Sequence, residues 1–323
     1  MAGLLTSARK AAGRGRHRVR AVRTARTIEE RLVWVFGSPR SGSTWLLRIL
    51  GDHEAIVPVN EPMLGWYLGP FLSDLPGFGS AALDSHNFTL RQVQDEKRSQ
   101  FFAGEFEDVW GPALGRMICE RFAAHALRYP PKNGASNRGL VLIKEPNGSQ
   151  SADIITAAVP RARFLFLLRD GRDVVDSDLA AHQPGAWVTK EFPGARGISA
   201  GERLAFVTQS ARKWLWRTEV TYRAYEAHPG PKLIMRYEEI LADPRGQLRS
   251  LLDWLGLVMT DADLEAAIER HAFQSVPEEK RGSREFFRAA SPGMWRQNLS
   301  SAEQAAVEEV IGPKLTEIGY GPP

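Results

Sequence analysis

The octapeptide Gly37-Ser38-Pro39-Arg40-Ser41-Gly42-Ser43-Thr44 lies between an apolar run and a helical pattern. A glycine-rich turn entering a helix aims backbone N–H groups and the positive end of the helix dipole at an anion. The spacing of Gly37 and Gly42 follows the nucleotide-loop pattern G-x-x-x-x-G-K-[ST] as far as position 43, where serine replaces the lysine. ATP chemistry in such a loop relies on that lysine and a magnesium ion to balance the β- and γ-phosphates. The segment therefore reads as an anion cradle of another kind, with Arg40 supplying charge from inside the loop.

A second basic segment is Arg169-Asp170-Gly171-Arg172-Asp173-Val174-Val175-Asp176-Ser177. Arg169 ends an apolar, strand-like run, and ligands of open α/β sheets bind at such ends. Ser177 stands eight residues later, about two helical turns on, within reach of the same anion. Arg172 and Asp173 read as an ion pair with each other. Two anchors some 130 residues apart suit a ligand with two separate anionic groups. Near the C-terminus, Arg288 precedes Trp295 by seven residues.

These segments together resemble the 3′-phosphoadenosine-5′-phosphosulfate (PAPS)-dependent sulfotransferase family. The run Pro39 to Trp45 is similar to that family's 5′-phosphosulfate loop. This implies that Arg40, Ser41, Gly42, Ser43 and Thr44 hold the phosphosulfate and that Trp45 stacks on adenine. Arg169 with Ser177 resembles the 3′-phosphate motif, with Gly171 where cytosolic members often carry proline. Arg288 is similar to the start of the family's Arg-Lys-Gly, although Ala289 and Ala290 replace its last two residues and Lys280, Arg281 and Arg284 compete for the role.

Lys144 fits the family lysine that touches the transferred sulfuryl oxygens, but Pro146 stands where cytosolic members place a catalytic histidine. Glu61, in Val59-Asn60-Glu61-Pro62, matches the glutamate that other branches, including the tyrosylprotein type, use as base. The resemblance thus implies Glu61, Arg40 and Lys144 as catalytic groups, with Glu145 and His53 as alternatives for the base. Glu61 also reads as an N-cap-like acid opening a helix over Pro62–Leu68. Arg236-Tyr237-Glu238-Glu239 resembles a further family motif, read as structural. A sulfuryl group carries less charge than a phosphoryl group, so no metal is expected. PAPS is the implied co-substrate and PAP, its 3′,5′-bisphosphate, the implied product.

The elements required to position these residues are visible in outline. Four apolar runs, Leu32–Phe36, Gly139–Lys144, Arg163–Leu168 and Lys232–Arg236, alternate with helical patterns such as Trp45–Leu50. That rhythm predicts a three-layer α/β sandwich with a parallel sheet of about five strands. Ser199 with Glu202 and Ser300 with Glu303 have capping-box spacing, Asp243-Pro244 reads as a helix start, and Gly256 and Gly319 as helix ends. Long loops are expected over Pro70–Arg98, Pro130–Arg138 and Gln183–Gly197, and few helix signals over Gln274–Pro292. No linker divides residues 29–323, so one sulfotransferase-like domain is expected there.

Composition narrows the function classes. Hydrophobic residues at 43% and charged residues at 25% are ordinary for a globular domain with a real core. The single cysteine, Cys119, excludes an intrachain disulfide and fits a reducing, cytoplasmic compartment. Residues 1–26 carry eight Lys or Arg and no acid, which leaves the remainder at −4 against +4 for the whole. A disordered basic extension over residues 1–28 is expected, with weak membrane-surface contact open to it and no nucleic-acid partner expected. Trp66, Tyr67, Phe78, Phe101, Phe102, Phe106, Trp110 and Trp187 supply apolar surface for an acceptor. The expected acceptor is a hydroxyl or amine of a small molecule, carbohydrate or lipid. Two other readings are a P-loop kinase or NTPase and a non-catalytic nucleotide binder anchored by its basic tail.

Overall fold

The computed structural model of the 323-residue chain describes residues 22–68, 101–132, 139–192, 195–282, 285 and 291–321. Five parallel strands form one sheet: β1 (Leu32–Gly37), β2 (Ile56–Asn60), β3 (Leu140–Lys144), β4 (Arg163–Leu168) and β5 (Lys232–Arg236), in the order β2-β3-β1-β4-β5. The inner strands are continuously apolar because both faces are covered. In β1 the side chains alternate, Leu32, Trp34 and Phe36 entering one core and Val33 and Val35 the other. Phe164, Phe166 and Leu168 of β4 join the first core, and Leu165 and Leu167 the second.

Twelve helices are labelled here. They are α1 (Ser43–Gly51), α2 (Leu64–Leu68), α3 (Glu107–Arg128), α4 (Ala152–Ala158), α5 (Gly171–Ala181) and α6 (Trp187–Glu191), then α7 (Arg203–Ala227), α8 (Tyr237–Ala242), α9 (Pro244–Leu255), α10 (Asp261–His271), α11 (Trp295–Asn298) and α12 (Ser301–Glu317). The first core takes Ile118 and Phe122 of α3, Trp214 of α7 and Ile311 of α12. The second takes Leu46 and Ile49 of α1, Leu251 of α9 and Leu264 of α10. Sheet and two helical layers make the sandwich the sequence predicted. No helix among the described residues is long and apolar enough to cross a membrane.

Strand β2 was not foreseen. Its Pro58 cannot donate to a ladder, which demotes such a run in a sequence. At the sheet edge the defect is tolerated, and Pro58 is exposed there. Other expectations hold: both capping boxes form, Asp243 caps α9 with Pro244 at its first turn, and Gly256 ends α9 in the left-handed conformation. The loop expected over Gln183–Gly197 instead contains α6, and 3-10 turns occupy Phe273–Ser275 and Glu278–Lys280. Residues 22–28, assigned to the extension from sequence, are helical and end in the fully buried Ile28. The loop over Pro70–Arg98 lies outside the described residues, as do residues 133–138 of the next loop.

Strand order decides where a ligand can sit. The chain leaves β1 for β2 and β3 on one side and returns to β4 and β5 on the other, which opens a crevice at the C-terminal end of β1. Register brings Lys144 level with both Asn60 and Val35, and Leu168 level with Arg236. The functional candidates therefore share one edge of the sheet. Gly37 ends β1 with φ +149, and a Cβ there would collide with the Leu167 carbonyl. Gly37→Ala should lower unfolding stability by about 2 kcal/mol or more, as read by urea denaturation.

Candidate functional site: an anion cradle at the switch point

The loop after β1 turns through two left-handed residues, Arg40 (φ 69) and Gly42 (φ 85). Gly42 is the N-cap of α1, and a Cβ there would run into the Tyr237 ring. Only glycine meets both demands. The start of the loop is pinned by Ser149, whose hydroxyl accepts from the Gly37 N–H at 3.0 Å and donates to the Gly37 carbonyl at 2.8 Å. Within the loop the Ser41 hydroxyl is fully buried and meets no partner among the described residues. A buried hydroxyl of this kind is a donor that a bound anion could satisfy.

The lysine missing from the loop is supplied from β3. Lys144, only 4% exposed, donates to the Thr44 hydroxyl at 2.8 Å and to the Asn60 side-chain carbonyl at 3.1 Å. Its third contact is the Glu61 carboxylate at 2.7 Å. The ammonium's three donors thus reach β2, the segment after β2, and the first turn of α1. The other Glu61 oxygen accepts from the Asn147 amide at 2.9 Å. Glu61 has φ 45 and Met63 φ 60, so the backbone around this carboxylate is held in a sparsely populated region. Glu61 does not open a helix: α2 starts at Leu64, and the Glu61 carboxylate is turned toward Lys144 and Asn147 instead.

On the other flank, Arg169 donates to the Arg40 carbonyl at 2.6 Å and lies 4.6 Å over the Tyr237 ring. Its Nε is buried without an acceptor among the described residues. Arg40 Nε donates to the Ser177 hydroxyl at 3.0 Å, and its guanidinium lies 5.7 Å over Trp187. Both anchors named from sequence are therefore one site. Trp45 is half-buried and meets Tyr237 edge-on with centroids 6.4 Å apart. Arg288 and Arg284 lie outside the described residues.

Arg172 does not pair with Asp173. Its partner is Asp170 at 2.8 Å, because the Asp170 side chain caps α5 and faces the guanidinium directly. Asp173 accepts from the Gly293 N–H at 2.8 Å instead, and burial raises its carboxyl above the ordinary range. Glu238 accepts from the Asp170 N–H at 2.9 Å and from the Tyr320 hydroxyl at 2.9 Å, a structural role for that motif. Tyr237 is more than structural, since it forms the floor beneath Gly42 and Arg169. Asn147 and Ser149 carry no distinctive sequence signal, since they act through a fold-specific turn at Pro146–Ser151.

Of the alternative bases, His53 is a structural residue, accepting from the Ala55 N–H at 3.0 Å and meeting the Val258 carbonyl at 3.1 Å. Glu145 is fully buried, with one oxygen accepting from the Gly65 N–H at 3.2 Å and the other unpartnered among the described residues. Burial is the main reason that its carboxyl is pushed up to about 8, with the Glu61 charge adding to the rise. A folded-state value above the ordinary 4.5 means that the native protein holds a proton the unfolded chain releases. Stability should therefore decline as pH rises from about 4.5 through about 8. Chemical denaturation across that range should show a smaller decline in Glu145→Gln.

The Sulfotransferase family matches residues 33–261. A protein-tyrosine sulfotransferase of Drosophila melanogaster is 21% identical over 296 residues, 90% of this chain and 52% of that protein. Protein-tyrosine sulfotransferase 1 of Danio rerio is 23% identical over 298 residues, 90% of this chain and 72% of that protein. A relative from Caenorhabditis briggsae is 22% identical, covering 71% of this chain and 66% of its own length. The chain thus spans between about half and about three quarters of these relatives. The mouse sulfotransferase SULT7A1 complexed with PAP shares the fold at a TM-score of 0.54 and 11% identity, over 89% of this chain and 85% of that one. With the cradle, the strand order and a match across most of its length, the chain belongs to the Sulfotransferase family.

Proposed function

We propose that the protein transfers a sulfuryl group from PAPS to a hydroxyl or amine of an acceptor, releasing PAP. The observation that carries this reading is the Lys144 ammonium, which joins the anion loop at Thr44 to the Glu61 carboxylate. Bound PAPS would supply the activated sulfuryl group and its bisphosphate leaving group. The loop residues Arg40 to Thr44 hold the 5′ side, and Arg169 and Ser177 hold the 3′-phosphate. Trp45 and Tyr237 offer ring faces for the base. The buried hydroxyl of Ser41 and the orphaned Nε of Arg169 are donors that an anion would satisfy.

In the reaction the acceptor oxygen attacks sulfur, the bond from sulfur to the bridging phosphate oxygen breaks, and the acceptor proton must leave. Glu61 accepts that proton. Asn147 holds the carboxylate in place while Lys144 and Arg40 balance charge developing on the transferred group and the leaving oxygen. The Glu61 carboxylate faces the Lys144 ammonium at 2.7 Å. Small-molecule, carbohydrate, lipid and peptide acceptors are all compatible with this chemistry.

PAP at 100 times its dissociation constant should stabilise the protein by about 2.7 kcal/mol, seen as a clear rise in melting temperature. Arg169→Ala should lose that rise. Stabilisation by ATP with magnesium but not by PAP would overturn the reading in favour of phosphoryl transfer. With PAPS and an acceptor identified by screening, Glu61→Gln should cut kcat by about 10²- to 10⁴-fold while the PAP-induced shift is kept. Near-normal turnover in that variant would remove Glu61 as the base.

A further inference from the structure

Beyond α12 the chain turns back toward Arg169 and is held by three side chains. Arg236 donates to the Ile318 carbonyl, and its guanidinium lies 4.7 Å over the Tyr320 ring. Arg172 donates to the Gly321 carbonyl at 3.0 Å. The Tyr320 hydroxyl donates to one oxygen of Glu238 at 2.9 Å, while the other oxygen accepts from the Asp170 N–H at 2.9 Å. Gly319 makes the bend in the left-handed region, with φ +82, where a side chain would be strained. The segment Ile318–Gly321 thus bridges the β5–α8 junction and the β4–α5 junction.

Arg169 is set between those same two junctions. Asp170 follows it in the chain, so the Glu238 carboxylate grips the peptide that carries Arg169 into α5. Glu238 also follows Tyr237, whose ring lies 4.6 Å beneath the Arg169 guanidinium. One carboxylate therefore fixes the backbone of the arginine relative to the ring under its head. Burial raises the Glu238 carboxyl, while the Asp170 N–H, its own N–H, the Tyr320 hydroxyl and the Arg169 charge draw it back down. Without the Tyr320 hydroxyl, one Glu238 oxygen loses its donor. A carboxylate released on that side is pulled toward the Arg169 cation. There it competes with a phosphate for the arginine's unmatched Nε, and a binding group that is no longer held in one geometry loses selectivity.

We propose that Tyr320 is a positioning residue for the donor's 3′-phosphate. By holding Glu238 it fixes Arg169 on Tyr237, so the segment after α12 sets how strongly the protein distinguishes a 3′,5′-bisphosphate from a 5′-monophosphate. This rests on the donor reading above, in which Arg169 takes the 3′-phosphate. Tyr320 touches no nucleotide in this arrangement and acts through Glu238 alone.

The test measures the dissociation constants of PAP and of adenosine 5′-phosphate for the full chain by calorimetry, since the two ligands differ by the 3′-phosphate alone. The native protein should favour PAP by about tenfold or more, and Tyr320→Phe should reduce that ratio by about three- to tenfold, the scale of one hydrogen bond's net contribution. In an Arg169→Ala background, Tyr320→Phe should change the ratio no further, because the two residues act as one unit. Ser300→Ala, which removes the cap at the far end of α12, should lower the melting temperature and keep the native ratio. If Tyr320→Phe weakens both ligands by the same factor, the inference is overturned and Tyr320 serves packing alone. An undiminished Tyr320→Phe effect in the Arg169→Ala background would overturn it as well. So would an equal fall of the ratio in Ser300→Ala, which would make the effect a consequence of lower stability. A native protein that binds the two ligands equally would sink the donor reading itself, and the inference with it.

Discussion

A buried ammonium must have every one of its protons matched, and Lys144 sets that condition for the whole active edge. Its acceptors come from Thr44 on α1, Asn60 at the end of β2 and Glu61 beyond it. Breaking one contact would strand a charge in a low-dielectric place, which costs more than an ordinary lost hydrogen bond. The loop, the edge strand and the carboxylate are therefore held in mutual register by one side chain. Ser149 and Glu145 extend the arrangement: one clamps Gly37, the other ties down the Gly65 N–H at the start of α2. The proposed base is positioned from beneath by buried polar contacts that take no part in the chemistry.

The second flank works differently. Arg169 is stacked on Tyr237 and bonded to the Arg40 carbonyl, so it holds the loop's backbone while its own side chain keeps an unused donor. Arg40 leans on Ser177. In this state the two anchors satisfy one another in part, and a bisphosphate would replace protein contacts with stronger charge-assisted ones. Asp170, by capping α5 and binding Arg172, fixes the height at which Arg169 leaves β4.

Much of this was legible in the amino-acid sequence because it depends on local rules. Gly37 and Gly42 announce a turn that enters a helix, and the apolar run Phe164–Leu168 announces a strand covered on both faces. Arg40 lies within that turn, Lys144 and Arg169 stand at strand ends, and Ser177 follows from its spacing of eight residues from Arg169. What could not be read depends on tertiary register. Strand β2 was hidden by Pro58, which is compatible with a sheet only at an edge. Asn147 and Ser149 reach the site through a 3-10 turn with no distinctive spacing. The pairing of Arg172 with Asp170 rather than Asp173 turned on which carboxylate capped the helix, a choice that local charge patterns leave open.

Supplying the cation from β3 rather than from the loop has a kinetic consequence. Lys144 and Thr44 are 100 residues apart in the chain, and Arg40 and Ser177 are 137 apart. Contacts of such long range close late, because the loop-closure entropy must be met before they form. A chain still emerging from the ribosome would present the glycine turn and α1 well before the proposed nucleotide site is complete. The proposed donor, if bound as inferred above, would then act as a clamp on the finished topology, favouring the last and most distant contacts over partly assembled forms.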